Sequence, residues 1–191
     1  VTGTPGHINA MATCIHHFLA VFPPESLQPD DVLITNDPQK TSGHLHDFTV
    51  ITPVFRRGEL VGYFGNTCHV LDIGGRGLTT DGRSIYEEGL FVPITKLFDR
   101  GEPNRELLRI MAANVRAPEP VLGDIHAQAA GNDVGAARLV EFMDEFDLDS
   151  LTELADEIIG RSERAMREAI AKLPDGVYRN EVFSDGYKEP V

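Results

Sequence analysis

Residues 48–70 read FTVITPVFRRGELVGYFGNTCHV. Two runs rich in β-branched and aromatic residues, Phe48–Phe55 and Leu60–Val70, flank Arg56-Arg57-Gly58-Glu59, the pattern of a β-hairpin with Arg57-Gly58 at its tip. A regular ladder counted outward from that tip sets Asp47 opposite Cys68 and His46 opposite His69. Pro53 has no N–H to give to a ladder, which predicts an edge or bulged position on the first strand.

Working outward, Val32-Leu33-Ile34-Thr35 is a short apolar strand stopped by Asn36-Asp37-Pro38. Upstream, Ile8, Met11, Ala12, Ile15, Phe18, Leu19 and Phe22 recur at helical spacing until Pro23-Pro24, with His16 and His17 on the polar side. Downstream, Asp72–Gly89 is glycine-rich and too long for a turn. A further strand is expected within Phe91–Phe98, followed by helices over roughly Glu106–Val115, Pro120–Phe146 and Leu151–Leu173. The last has a capping-box pattern at Ser150 and Glu153, a stripe of Leu154, Ile158, Ala165, Met166, Ala169, Ile170 and Leu173, and a stop at Pro174-Asp175-Gly176. Gly123, Gly131 and Gly135 each cost a helix about 1 kcal/mol against Ala, so the middle helix is expected to be broken or closely packed. Strands first and helices second predict an α+β fold. The expected organisation is a mixed part over 1–100, a helical part over 101–175 and the start of a further strand region over 176–191, within one domain or part of one.

The 191 residues carry 17 Lys plus Arg against 30 Asp plus Glu, a formal charge of -13, which is the reverse of a nucleic-acid footprint. No apolar run approaches the roughly 20 residues of a membrane-spanning helix, so a soluble, cytoplasmic protein is expected. Cys14 and Cys68 form no CxxC and read as two reduced thiols. The chain opens without Met in a loop-like Val1–Gly6 and stops at Tyr187–Val191 soon after an expected strand, so it reads as part of a longer protein.

The hairpin brings chemistry together. His44, His46, Asp47, His69 and Asp72 converge on its open end, and two imidazoles with a carboxylate suit a divalent Zn, Mn or Fe that keeps an open position. A hydrogen-bonded His/Asp network without metal is the competing reading. For His44 and Asp47 to share a side, the chain between them must leave strand geometry. Asp72-Ile73-Gly74-Gly75-Arg76-Gly77 lacks the Gly-Lys-Ser/Thr ending of a phosphate loop. Glu87-Glu88 beside Tyr86 offers an acid or base but reads as a solvated loop, Asn114-Val115-Arg116 reads as structural, and the acidic residues over 144–149 read as a solvated face.

Asn36-Asp37-Pro38, Gly43-His44-Leu45-His46-Asp47, His69 with Asp72-Ile73-Gly74-Gly75, Glu87-Glu88-Gly89-Leu90, Asn114-Val115-Arg116 and Leu173-Pro174-Asp175-Gly176, in this order, resemble the hydantoinase B/oxoprolinase family. The resemblance covers nearly the whole chain. It implies a B-type subunit of an ATP-dependent enzyme that opens cyclic amides, or the metal-bearing subunit of a carboxylase acting on ketones. In either case an A-type partner handles ATP within a hetero-oligomer. It also implies that His44, Asp47 and His69 are the metal ligands. Beside them Asp72 is expected to orient an imidazole, and His46 is a further catalytic candidate. A third possibility is a non-catalytic scaffold for the ATP-binding partner. Where the family has Tyr-x-Gly-Gly after Asn-Asp-Pro, this chain has Gln39-Lys40-Thr41-Ser42.

Overall fold

The computed structural model describes residues 5–77, 79 and 81–182, with the side chains of Pro5, Gly6 and Ile8 left aside. Helix α1 (Pro5–Val21) leads through a turn at Pro24–Ser26 into strand β1 (Val32–Thr35). The hairpin β2 (Asp47–Arg56) and β3 (Glu59–His69) follows, then one helical turn α2 (Ile85–Glu88), strands β4 (Thr95–Asp99) and β5 (Glu102–Pro103), and helices α3 (Arg105–Asn114), α4 (Pro118–Glu145) and α5 (Thr152–Ile170). The strands form one antiparallel sheet in the order β3-β2-β1-β4-β5. The architecture is α+β, as the order of apolar patterns predicts. The chain divides into two compact units, Val1–Asp149 and Ser150–Val191.

In the first unit the alternation of side chains along each strand sorts two cores. Val32, Ile34, Phe48 and Val50 pack with Met111 of α3 and Val121, Ile125 and Ala129 of α4. On the opposite face Leu33 and Ile51 pack with Cys14 and Phe18 of α1. The α4 glycines do not break the helix, which runs unbroken for 28 residues. A Cβ on Gly135 would stand 2.4 Å from the Phe64 ring of β3, so the absence of a side chain there is what lets helix and sheet meet. Amides complete that contact: Gln128 donates to the Phe48 carbonyl and Asn66, and Asn132 donates to the carbonyls of Val50 and Phe64.

The hairpin tip is the expected one, with Arg57 and Gly58 at φ 53° and 85°, the two positive angles of a type I′ turn. The ladder above it is not regular. Arg56 faces Glu59 and Phe55 faces Leu60, but Val54 faces Gly62, so Val61 is an extra residue and every later pair is displaced by one. Asp47 therefore faces His69 and Phe48 faces Cys68, which corrects the expected pairing of Asp47 with Cys68 and His46 with His69. Pro53 is not on an edge strand, since β2 lies between β1 and β3. It sits past the last β1 pair, Leu33 with Ile51, and the extra residue falls on the partner strand.

Two loops are pinned to the sheet. Asn36, fully buried, donates through Nδ2 to the carbonyls of Leu45 and Leu90 and accepts from the Val92 N–H, so one amide ties three segments. In the glycine-rich loop, Leu90 N–H donates to Ile73 and Arg76 N–H to Glu87. Gly74 adopts φ +74°, and a Cβ there would fall 2.1 Å from the Asn114 carbonyl oxygen, so only glycine fits. These bonds tie the described part of the stretch to Glu87 and Leu90.

The second unit is built on α5. It starts one residue later than the capping box requires: Leu151 holds the cap position, and Ser150 Oγ accepts from Thr152 N–H instead. No residue of α5 is buried, and its stripe, including Ile158, Met166 and Ile170, is exposed. Residues 174–182 contain no strand, and the rest of the expected strand region, with Tyr187–Val191, lies outside the described residues, as does Val1–Thr4. No described helix is long and apolar enough to cross a membrane.

Candidate metal centre

The site forms where β2 begins and β3 ends. Leu45, fully buried, and the Asn36 amide anchor the segment before β2. Gly43 at φ +105° lets the chain turn, and Asp47 N–H donates to the His44 carbonyl at 3.2 Å. This turn takes His44-Leu45-His46-Asp47 out of strand geometry, as a shared side for His44 and Asp47 requires. Val70 N–H donates to the His46 carbonyl at 2.9 Å, closing the ladder above Asp47 and His69.

The Asp47 side chain is 3% exposed, whereas those of His44 and His69 are 42% and 50% exposed. His69 Nδ1 lies 3.0 Å from Asp47 Oδ1 and His44 Nδ1 3.4 Å from the same oxygen. One donor atom from each of His44, Asp47 and His69 falls within a mutual 4.8 Å. Around an ion with bonds of about 2.0–2.2 Å, neighbouring donors stand roughly 3.0–3.5 Å apart, so the two measured edges already have the required length.

Two buried atoms lack a partner. Asp47 Oδ2 and His44 Nδ1 are shielded from solvent and make no hydrogen bond among the described residues. An unpaired buried imidazole nitrogen is costly, and a cation shared with Asp47 Oδ1, 3.4 Å away, would satisfy His44 Nδ1. The donor set of two nitrogens and one carboxylate suits Zn, Mn or Fe.

His46 is also gathered in. Its ring stacks on His69, with centroids 5.0 Å apart and planes at 8°, and stands edge-on to His44 at 6.4 Å. Burial, and then the imidazoles of His69 and His44, push the His46 pKa below the ordinary imidazole value, against the pull of Asp47 and Asp72. Asp72 is committed elsewhere. Its Oδ1 accepts from Gly74 N–H and the Arg116 guanidinium, and its Oδ2 accepts from Arg116 N–H. Burial alone would raise its pKa, but these bonds outweigh it and hold the carboxyl below the usual range. No hydrogen bond joins Asp72 to an imidazole among the described residues, and its tie to Arg116 instead locks the connector between β3 and α3.

His7 joins the site without having been a candidate from sequence. From α1 its Nε2 comes within 4.0 Å of Asp47 Oδ2. The available signal is its place four residues before Met11 and seven before Cys14, on the stripe that faces the sheet.

The hydantoinase B/oxoprolinase family model matches residues 1–191. This chain belongs to that family. Curated members similar to it include the B-type chain of a candidate D-/L-hydantoinase from Pseudomonas sp. (strain NS671), 38% identical over 85% of the chain and 28% of the relative. Another is the beta chain of the caprolactamase from Pseudomonas jessenii, 32% identical over 91% of the chain and 30% of the relative. The chain thus spans about 30% of the length of these family members. The crystal structure of the ATP-dependent caprolactamase from Pseudomonas jessenii superposes with a TM-score of 0.81 at 30% identity, over 90% of this chain and 30% of that one. A nucleotide-free acetone carboxylase superposes with a TM-score of 0.64 at 21% identity, over 78% of this chain and 19% of that one, and shares the fold.

Proposed function

We propose that this chain is the metal-bearing part of a B-type subunit in a cytoplasmic, ATP-dependent enzyme that opens cyclic amides, working with an A-type subunit that binds ATP. The observation that carries the reading is the buried Asp47 carboxylate, whose Oδ1 faces the imidazoles of both His44 and His69. Cyclic amides are favoured over ketones because hydantoinase, caprolactamase and 5-oxoprolinase are the names its relatives carry.

His44, Asp47 and His69 would hold the ion, which when bound supplies a Lewis acid for a carbonyl oxygen. His44 and His69, half exposed, leave the open side toward solvent and substrate, while Asp47 anchors from the buried side. His46, whose pKa is lowered by burial and then by the imidazoles of His69 and His44, would accept a proton from an attacking water. Asp72, through Arg116 and Gly74, fixes the loop that leaves the site, a positioning role rather than contact with the reacting atoms.

The test is substrate profiling of the full-length complex with ATP. Ring opening of hydantoins, 5-oxoproline or a lactam, lost in Asp47→Ala, is the expected result. Turnover of a ketone with bicarbonate instead would move the assignment to a carboxylase, and unchanged turnover in Asp47→Ala would leave a scaffold.

A further inference from the structure

Helix α1 brings one more imidazole to the centre. His7, Met11, Cys14 and Phe18 lie on one helix face. Cys14 and Phe18 are fully buried in the core that contains Leu33 and Ile51. Met11 reaches to 3.3 Å from where a Cβ on Gly65 would stand, and Gly65 faces Ile51 across the hairpin. Asp47 and His69 lie four residues further along the same face of that ladder. Helical side chains lean toward the N-terminus, so His7, the residue of this stripe nearest the N-terminus, leans toward them.

Its Nε2 stands 4.0 Å from Asp47 Oδ2, the oxygen that is buried and without a hydrogen bond. Asp47 Oδ1 is the oxygen that faces His44 and His69. The carboxylate thus presents one oxygen to the ligand cluster and the other to α1. We propose that His7 is a positioning residue: its Nε2–H donates to Asp47 Oδ2 and holds the carboxylate with Oδ1 turned toward His44 and His69, the residues that would hold the ion with it. Closing 4.0 Å to a hydrogen bond of about 2.9 Å takes a small rotation of a side chain that is 40% exposed. Ligating carboxylates are oriented by such outer donors, whose loss weakens metal affinity about 10–100-fold. The proposal rests on the metal reading above.

The test is metal affinity, measured by chelator competition with Mn(II) on the full-length protein and its His7→Ala, His7→Phe and His7→Gln variants. The expected result is about 10–100-fold weaker binding in His7→Ala and His7→Phe, with His7→Gln, which keeps an N–H donor, recovering most of it. Pulsed EPR of bound Mn(II) should count two coordinated imidazoles in the wild type and in His7→Gln. His7→Ala within twofold of the wild type, or His7→Phe binding as tightly as the wild type, overturns this inference alone. So does a third coordinated imidazole that disappears with His7, which would make His7 a ligand. A wild-type protein that takes up no Mn(II) or Zn(II) overturns the metal reading and this one together, and shows before any variant is compared.

Discussion

The two ends of the β2–β3 hairpin obey different counting rules. At the tip, Arg56 faces Glu59 across a two-residue turn, and the buried Arg56 guanidinium donates to Asp144 at 2.7 and 2.9 Å and to the Leu148 carbonyl. At the open end the partners have moved by one residue, because Val61 adds a position to β3, and Asp47 faces His69. Were Val61 paired in a regular ladder, Asp47 would oppose Cys68, and His69 would point to the α4 face. The tip sets the turn, and the bulge sets which side chains meet at the open end. A bulge next to a functional site is a common device for re-aiming a side chain.

Asp47→Ala should cut divalent metal affinity by about 100-fold or more while leaving thermal stability nearly unchanged, since the cost of burying the carboxylate offsets its hydrogen bond with His69. Titration calorimetry together with a thermal melt checks both halves. At the tip the effects should be reversed. Arg56→Ala should lower unfolding stability by about 2 kcal/mol, measured by urea denaturation, with metal affinity within twofold of the wild type.

Asp72 lies just beyond the open end and should act on stability with a pH signature. Its hydrogen bonds hold the carboxyl below the ordinary aspartate value, so its contribution is present above the unfolded pKa and is lost as pH falls through the folded one. Asp72→Asn should cost about 1 kcal/mol at neutral pH and flatten the acid limb of the stability curve below about pH 4. A mutant whose stability falls with acid in parallel with the wild type would show that the Arg116 pair contributes nothing. The smallest effect is expected from deleting Val61. Removing the extra residue regularises the ladder but keeps Val54 with Gly62 and Asp47 with His69, so metal affinity should stay within about threefold.

Much of this arrangement can be read from the residues. Arg57-Gly58 specifies the turn, the apolar periods specify the helices, and the clustering of His44, Asp47 and His69 within the hairpin's reach anticipates that their side chains meet. The bulge cannot be read the same way, because Val61 is as β-favouring as its neighbours and nothing local marks it as extra. Pro53 signals an irregularity and lies beside it, but on the strand opposite the extra residue. Nearness in sequence pairs Asp72 with an imidazole, whereas Arg116, distant in sequence, takes it. His7 is silent in the sequence because a lone histidine before an apolar stripe has no charge partner until the sheet places Asp47 beneath it. In α5 the stripe predicts a helix correctly, but an amphipathic period says only that a face is apolar and not what covers it.

The most direct test is an anomalous diffraction experiment on crystals of the full-length protein grown with Mn(II) or Zn(II). One peak is expected within about 2.0–2.3 Å of donor atoms from His44, Asp47 and His69 together, with Asp47 still facing His69 across the hairpin. A peak elsewhere, no peak at saturating metal, or a ladder in which Asp47 faces Cys68 would contradict that expectation.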